Sequence, residues 1–256
     1  MAHIALHFRC SPLELDDEQI LDHLHILKTQ FKTPSEAFFK HTVYGLRYLF
    51  RLYGREESRI KLPLIKGSKK LPVVLSPNEV KVLLKSPTLL KHRLIIGLLY
   101  GCGLRCFELQ NVKIRDVDFD RKVLHVTNGK GGKQRYLPLC DVLLQGIIKY
   151  LNVENPVEWL FSGNNRNGDH VPLTPRGIQY VVKQAREKSG ILKHITTHVL
   201  RHTYATHLLE MGLDIMSVKD LLGHADIQTT LIYLHVAKVS RLETFSPLEK
   251  LYPTKS

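Results

Sequence analysis

Cysteine is scarce in this 256-residue chain: Cys10, Cys102, Cys106 and Cys140 are too few and too scattered for a disulfide framework. The longest apolar run, Leu94 to Leu104, is short and interrupted by glycine, which excludes a bilayer-spanning helix there. The His-rich N-terminus lacks the apolar stretch of a signal peptide. Acids are also in deficit, 24 against 37 lysines and arginines, leaving a formal charge of +13 and a pI near 9.6. Apolar residues are not lacking: at 43% they suffice for a real core, which excludes a largely disordered chain. The pattern points to a soluble protein of a reducing, intracellular compartment, with one or two domains and an anionic partner.

The basic excess is concentrated. From Arg59 to Arg93 there are nine lysines and arginines and one acid, Glu79, a net +8 in 35 residues. A solvated linker with an exposed helix face would explain such a run, but clustering at this pI is also the electrostatic footprint of a nucleic-acid binder.

Four segments share one opening: Ser11-Pro-Leu-Glu14, Thr33-Pro-Ser-Glu36, Ser76-Pro-Asn-Glu79 and Ser246-Pro-Leu-Glu249. A hydroxyl, then proline, then glutamate three residues on spells a capping box, so each predicts a helix start. Helices are expected at Leu13–Thr29, Ser35–Leu52, Pro77–Leu84, Leu90–Tyr100, from Thr174-Pro175 to Lys188, and from Thr197 to Gly212. Short strands are expected at Val117–Phe119, Val123–Thr127 and Arg135–Leu139, the last two joined by the turn text Asn128-Gly-Lys130-Gly-Gly132. Gly163–His170 reads as an irregular polar loop. The expected organisation is a reduced helical segment over 1–54, a basic extended linker over 55–75 and a mainly α domain with a small antiparallel sheet (α+β) over 76–256. Ala2 to Phe8 reads as the tail of a helix, so the first segment is expected to be truncated or reduced.

The densest polar cluster on an apolar helix is Thr197-His198-Val-Leu-Arg201-His202-Thr203-Tyr204. His198 and Arg201 share a face, while Leu200, Tyr204, Leu208 and Met211 make the stripe expected to be buried. A histidine and an arginine on one rigid face suit an anion such as phosphate, although a salt-bridged surface helix would look the same. Zinc at His198 and His202 is disfavoured: the glutamate of the His-Glu-x-x-His motif and a third ligand are missing. Cys102 and Cys106 fit a core better than a metal. Gly129-Lys130-Gly-Gly-Lys133 lacks Walker spacing and reads as a hairpin tip presenting a lysine.

Four motifs occur in a fixed order: Leu-Tyr-Gly-Cys-Gly-Leu-Arg105-x-x-Glu108-Leu; Gly-Lys130-Gly-Gly-Lys-x-Arg-x-x-Pro-Leu; His198-x-x-Arg201-His202; and Leu-Leu-Gly-His224 with Tyr233 nine residues on. Over roughly residues 72–240 the chain resembles the tyrosine recombinases, a family that includes phage integrases, Xer-type resolvases and integron integrases. The resemblance implies a catalytic domain preceded by a helical DNA-clamping domain. It implies Tyr233 as nucleophile, forming a 3′-phosphotyrosine with release of a 5′-hydroxyl. His198 would be the base, Arg105 and Arg201 the clamp on the non-bridging oxygens, His224 a further donor and Lys130 the general acid. Glu108, Lys133 and His202 take supporting places, and Lys66, Lys69, Lys70 and Arg93 are expected on DNA.

The chemistry fits the residue types. A phenol of pKa about 10 needs help to ionise, and fixed cations offset the charge of a pentacoordinate phosphorus. Neither metal, cofactor nor ATP is implied. The expected partner is double-stranded DNA with a specific recombination site. Assembly from homodimer to homotetramer follows if the apolar tail residues Val239, Leu242, Phe245, Leu248 and Leu251 dock on a neighbour; ordinary C-terminal packing is the other reading of that tail. The resulting expectation is a cytoplasmic, nucleoid-associated bacterial recombinase of a mobile element, without a membrane partner. A catalytically silent DNA-binding homologue, an Xer-like dimer resolvase and a type IB topoisomerase are the alternatives.

Overall fold

The computed structural model describes residues 2–29, 36–64, 71–127, 134–164 and 170–237. Lys66, Lys69, Lys70, Lys130, Lys133 and the tail from 238 onward lie outside the described residues, as does Thr33-Pro34. The chain divides into two units, Met1–Lys69 and Lys70–Ser256.

In the first unit apolar residues recur at helical spacing in α1 (Ala2–Phe8), α2 (Asp17–Thr29) and α3 (Glu36–Leu52). Ile4, Ile20, Leu24, Leu27, Val43, Leu46 and Phe50 pack together as its core. The box at Ser11 does not open a helix. It forms a turn, with Glu14 N donating to Ser11 O at 2.9 Å. Asp16 and Gln19 make the reciprocal cap instead, at 2.7 and 3.2 Å, ahead of an acidic first turn.

The expected extended linker is also corrected at its start, because Glu56–Lys61 forms α4. The reason is tertiary. Arg55 reaches back to the carbonyls of Leu13 and Leu15 at 2.9 and 3.2 Å, Lys61 pairs with Asp17 at 2.8 Å, and Leu62 enters the core.

The second unit opens as its sequence prescribes. Ser76 accepts from Glu79 N at 3.2 Å and Glu79 accepts from Ser76 N at 2.7 Å, starting α5 (Pro77–Lys85). Next come α6 (Leu90–Gly101), α7 (Cys106–Gln110) and a sheet of β1 (Val117–Asp118), β2 (Val123–Val126) and β3 (Arg135–Pro138). The sheet is antiparallel in the order β1-β2-β3, with Leu124 opposite both Val117 and Leu137. That register puts three apolar side chains on one buried face. After α8 (Asp141–Glu154), β4 (Ser162–Asn164) and β5 (His170–Pro172) pair antiparallel, so the ends of the expected irregular loop form a second small sheet. Three-residue strands leave too little alternation to read from sequence.

The unit closes with α9 (Pro175–Ser189), α10 (Thr197–Glu210), α11 (Ile215–Leu222), α12 (Gln228–Leu231) and a 3₁₀ turn, Ile232–His235. Helix α10 is buried on nearly every side rather than along one stripe. Met211, expected in that stripe, is 73% exposed because the helix ends one residue earlier.

Several polar groups inside this packing are paired, although the buried Thr206 hydroxyl has no hydrogen-bond partner among the described residues. Thr203 Oγ1 accepts from Leu75 N at 3.1 Å, and His207 Nε2 donates to Leu75 O at 2.9 Å. Because that carbonyl can only accept, His207 Nδ1 is left to accept from the Tyr100 hydroxyl at 2.9 Å. Both polar groups of Leu75 are thus buckled onto α10.

Candidate active site

Helix α6 ends at a left-handed turn on Gly103, with φ of 58°. A Cβ there would lie 2.3 Å from Tyr204 Cδ1, so both backbone and space demand glycine. The turn aims Arg105 at the start of α7, and Gly103 O accepts from Arg201 Nη1 at 2.6 Å. Arg105 donates its backbone N–H and Nη1 to the two Glu108 oxygens, both at 2.8 Å.

Glu108 serves more than Arg105. Arg135 grips the same carboxylate with two nitrogens, at 3.0 and 2.9 Å, and Arg201 Nη1 stands 3.8 Å away. Burial pushes the Glu108 carboxyl up, but the hydrogen bonds and charge of Arg135 and the contacts from Arg105 outweigh it and hold the pKa at about 2. Each guanidinium also takes one of three successive carbonyls at the end of α11. Arg135 Nε donates to Leu221 O at 2.7 Å, Arg201 Nη2 to Leu222 O at 2.5 Å and Arg105 Nη2 to Gly223 O at 3.4 Å. These are the orphan carbonyls at the negative end of a helix, where cations belong. Burial, followed by Arg105, lowers Arg201 to about 10, so it stays charged at neutral pH. Three cations share one carboxylate, and the cluster keeps a positive excess suited to an anion.

Gly223 closes α11 in the left-handed conformation and delivers His224 beside the arginines. His224 Nδ1 pairs with the buried Thr230 hydroxyl at 2.9 Å. Burial, then Arg201 and Arg105, lowers His224 to about 4, so its ring is neutral at physiological pH. Tyr233, 2% exposed, stands on the 3₁₀ turn with its ring 6.4 Å from that of His224 and nearly parallel to it. Burial raises the phenol's pKa, and the charges of Arg201 and Arg105 oppose the rise.

The structure therefore brings together Arg105, Glu108, Arg201, His224 and Tyr233. His198 stands one helical turn before His202, their ring centroids 6.5 Å apart. His198 is exposed and makes no hydrogen bond to Tyr233. It lines a groove of about 460 Å³ with Gln179, Lys183, Arg186 and His194. The residue in contact with the phenol is His202, whose Nδ1 is 3.1 Å from Tyr233 Oη. Arg93 is exposed near the start of α6 and donates to Pro87 O at 2.7 Å, outside this cluster. Among the described residues no group of His, Cys, Asp or Glu is placed to hold a metal ion.

Two features were not anticipated. Arg135 occurs inside the second motif, but nothing local marks it as the third guanidinium of the cage. In the first unit, Arg47, Tyr48, Arg51, Arg59 and Leu64 line an open groove of about 530 Å³, with Tyr44 also exposed on α3. Basic residues interleaved with tyrosines on the outer face of an amphipathic helix were a readable signal for it.

A guanidinium cage with a neutral imidazole, facing a buried tyrosine on a helical domain with a small antiparallel sheet, defines the tyrosine-type site-specific DNA recombinases. A profile of the phage integrase family matches residues 73–239, and the chain belongs to that family. It is 41% identical over 196 residues to tyrosine recombinase XerA of Thermococcus onnurineus, covering 76% of this chain and 69% of that protein. Identity to tyrosine recombinase XerD of Staphylococcus saprophyticus is 36% over 208 residues, 78% of this chain and 68% of that one. Among solved structures, an XerA recombinase crystal structure aligns with a TM-score of 0.60 at 25% identity, over 100% of this chain and 89% of that chain. XerH site-specific recombinase bound to palindromic difH substrate, in a post-cleavage complex, aligns with a TM-score of 0.74, over 89% of this chain and 71% of that one; at 24% identity this likeness speaks for the fold.

Proposed function

We propose that the chain cuts and rejoins double-stranded DNA at a specific site through a 3′-phosphotyrosine, without metal or ATP, in the integration, transposition or resolution of a mobile element. The observation that carries this reading is the placement of Arg105, Arg201 and His224 around the phenol of Tyr233 in one chain. A scissile phosphate entering the cage would meet two guanidinium forks on its non-bridging oxygens. The Thr230 hydroxyl holds the imidazole through Nδ1, which leaves Nε2 of His224 to meet the same oxygens. Tyr233 Oη attacks phosphorus, the bond to O5′ breaks, and Lys130 protonates the departing oxygen. His198, on the first turn of α10, takes the proton of the phenol as Oη attacks. The phosphotyrosine retains the bond energy, so rejoining is the same step reversed.

DNA as substrate is supported by the +13 charge. It is also supported by the basic stretch holding Lys66, Lys69 and Lys70 and by the arginine–tyrosine groove of the first unit, which we assign to the DNA backbone. We further propose a DNA clamp over 1–54, a basic connection over 55–75 and a catalytic domain over 76–256, acting as dimers that join into tetramers at the nucleoid. The test is a nicked suicide substrate resolved on a denaturing gel. Wild type forms a protein–DNA adduct and Tyr233→Phe forms none; an adduct that persists in Tyr233→Phe refutes the nucleophile.

A second reading, an Xer-like chromosome or plasmid dimer resolvase, is favoured by the 41% identity to a XerA protein. Resolution of a plasmid bearing two direct copies of a host chromosomal site, with no integration of element ends, would select it.

A further inference from the structure

We propose that His125 and Tyr136, stacked across the stem of the β2–β3 hairpin, are positioning residues for protonation of the leaving group, because they fix where the hairpin presents Lys130. The assignment rests on the strand-transfer reading above. The register carries it. His125 stands opposite Tyr136 and Val126 opposite Arg135, and these are the last two rungs before the tip. The two rings stack with centroids 4.5 Å apart and planes 14° from parallel. His125 Nε2 also donates to Oε1 of Gln134, one residue beyond the ladder, at 3.2 Å. Packing into the core does not explain the pair, since Tyr136 is 58% exposed.

The stem needs such a device. Among the described residues β1 pairs only with Val123 and Leu124 of β2, so the two rungs nearest the tip are a two-stranded ribbon, marginal by itself in water. Its two faces are held differently. On one face Val126 is buried and Arg135 is tied to Glu108 and to Leu221 O, which bolts β3 to the arginine cage. On the other face the His125–Tyr136 stack ties β2 to β3. Arg135 anchors β3 alone. The stack passes that anchorage to β2, the strand that leads into Asn128-Gly129-Lys130. Three of the six residues from 128 to 133 are glycine and bring no side chain to pack, so the strands below set the direction in which the tip leaves.

The chemistry affected is the transfer of one proton. Tyr233 Oη bonds to phosphorus, the P–O5′ bond breaks, and O5′ takes its proton from the Lys130 ammonium. An ammonium displaced by about 1 Å from that line loses much of its effect. A sulfur in place of O5′ isolates the step. A thiol ionises near pH ~8.5, so sulfur departs as a thiolate and needs no donated proton. Any defect confined to the placing of the acid therefore vanishes on the sulfur substrate, whereas a defect in attack, in the cage or in DNA binding persists on it.

The experiment measures single-turnover formation of the covalent adduct by the full chain on two nicked substrates, identical except for oxygen or sulfur at the scissile 5′ bridge. His125→Ala and Tyr136→Ala are expected to be about tenfold slower than wild type on oxygen and equal to it on sulfur. Lys130→Ala should give the same pattern with a larger loss on oxygen, about 100-fold. Tyr136→Phe keeps the stacked ring and should keep the wild-type rate on oxygen. Equal slowing of the alanine variants on both substrates overturns the inference, because the stack would then serve DNA binding or the fold. Wild-type rates of those variants on oxygen overturn it equally. If sulfur does not restore Lys130→Ala, the acid assignment fails and this inference falls with it, while adduct formed by wild type leaves strand transfer standing. Absence of adduct from wild type on either substrate overturns both readings together.

Discussion

Replacing Glu108 by glutamine changes one atom of the active-site cage and removes its only carboxylate among the described residues. The side chain is 1% exposed and is gripped by Arg105 and, through two nitrogens, by Arg135. Breaking one partner out of a buried ionic cluster costs about 3–5 kcal/mol, because the remaining charges stay desolvated. Linkage gives a second figure. The carboxyl moves from an ordinary value of 4.5 to about 2 on folding, and at roughly 1.36 kcal/mol per pH unit that displacement is worth about 3 kcal/mol. The sign follows from a lowered pKa: this stabilisation is complete above 4.5 and is lost as pH falls toward 2. Urea unfolding of the full chain at pH 7 should therefore show Glu108→Gln about 3 kcal/mol less stable than wild type. The difference between the two proteins should shrink steadily as pH is lowered from about 5 to 2. A loss under 1 kcal/mol at pH 7, or a difference independent of pH, would refute the reasoning and mean that the helix carbonyls alone hold the arginines.

Three further outcomes are expected. Arg135→Lys cannot span the carboxylate with two nitrogens and still reach Leu221 O, so adduct formation should fall at least tenfold while DNA binding by gel shift is retained; equal loss of both would place Arg135 on the DNA instead. Gly103→Ala forces a side chain into left-handed backbone and against the Tyr204 ring, and calorimetry should show a destabilisation of about 3 kcal/mol. Tyr48→Ala combined with Arg51→Ala should weaken DNA binding and flatten its dependence on salt by about one unit of slope, as measured by fluorescence anisotropy; an unchanged slope would remove the α3 groove from the interface.

Much of this arrangement was legible where a local rule governs it. The box at Ser76 and the antiparallel pair Val123–Val126 with Arg135–Pro138 follow from neighbours a few residues away. The misses lie where distant partners decide. Asp16 took the helix cap from Ser11 because acids and Gln19 follow it immediately. The start of the linker became helical because Arg55 and Lys61 found partners in the turn before α2 and on α2 itself. His198 and His202 differ by one turn, and no periodicity says which of them a tyrosine thirty residues later will meet. Arg135 was invisible for the same reason: its meaning depends on a carboxylate 27 residues before it and a helix end 86 residues after it.

The double bond of Leu75 to Thr203 and His207 has a mechanical meaning. The residue at which the chain enters the catalytic unit is fastened to the same rigid helix that carries Arg201 and His202. Tension on the preceding segment is delivered to that helix within two turns of the reacting atoms, rather than being absorbed in a slack loop. The attachment is a load path, and a pull on it is a pull on the catalytic geometry itself.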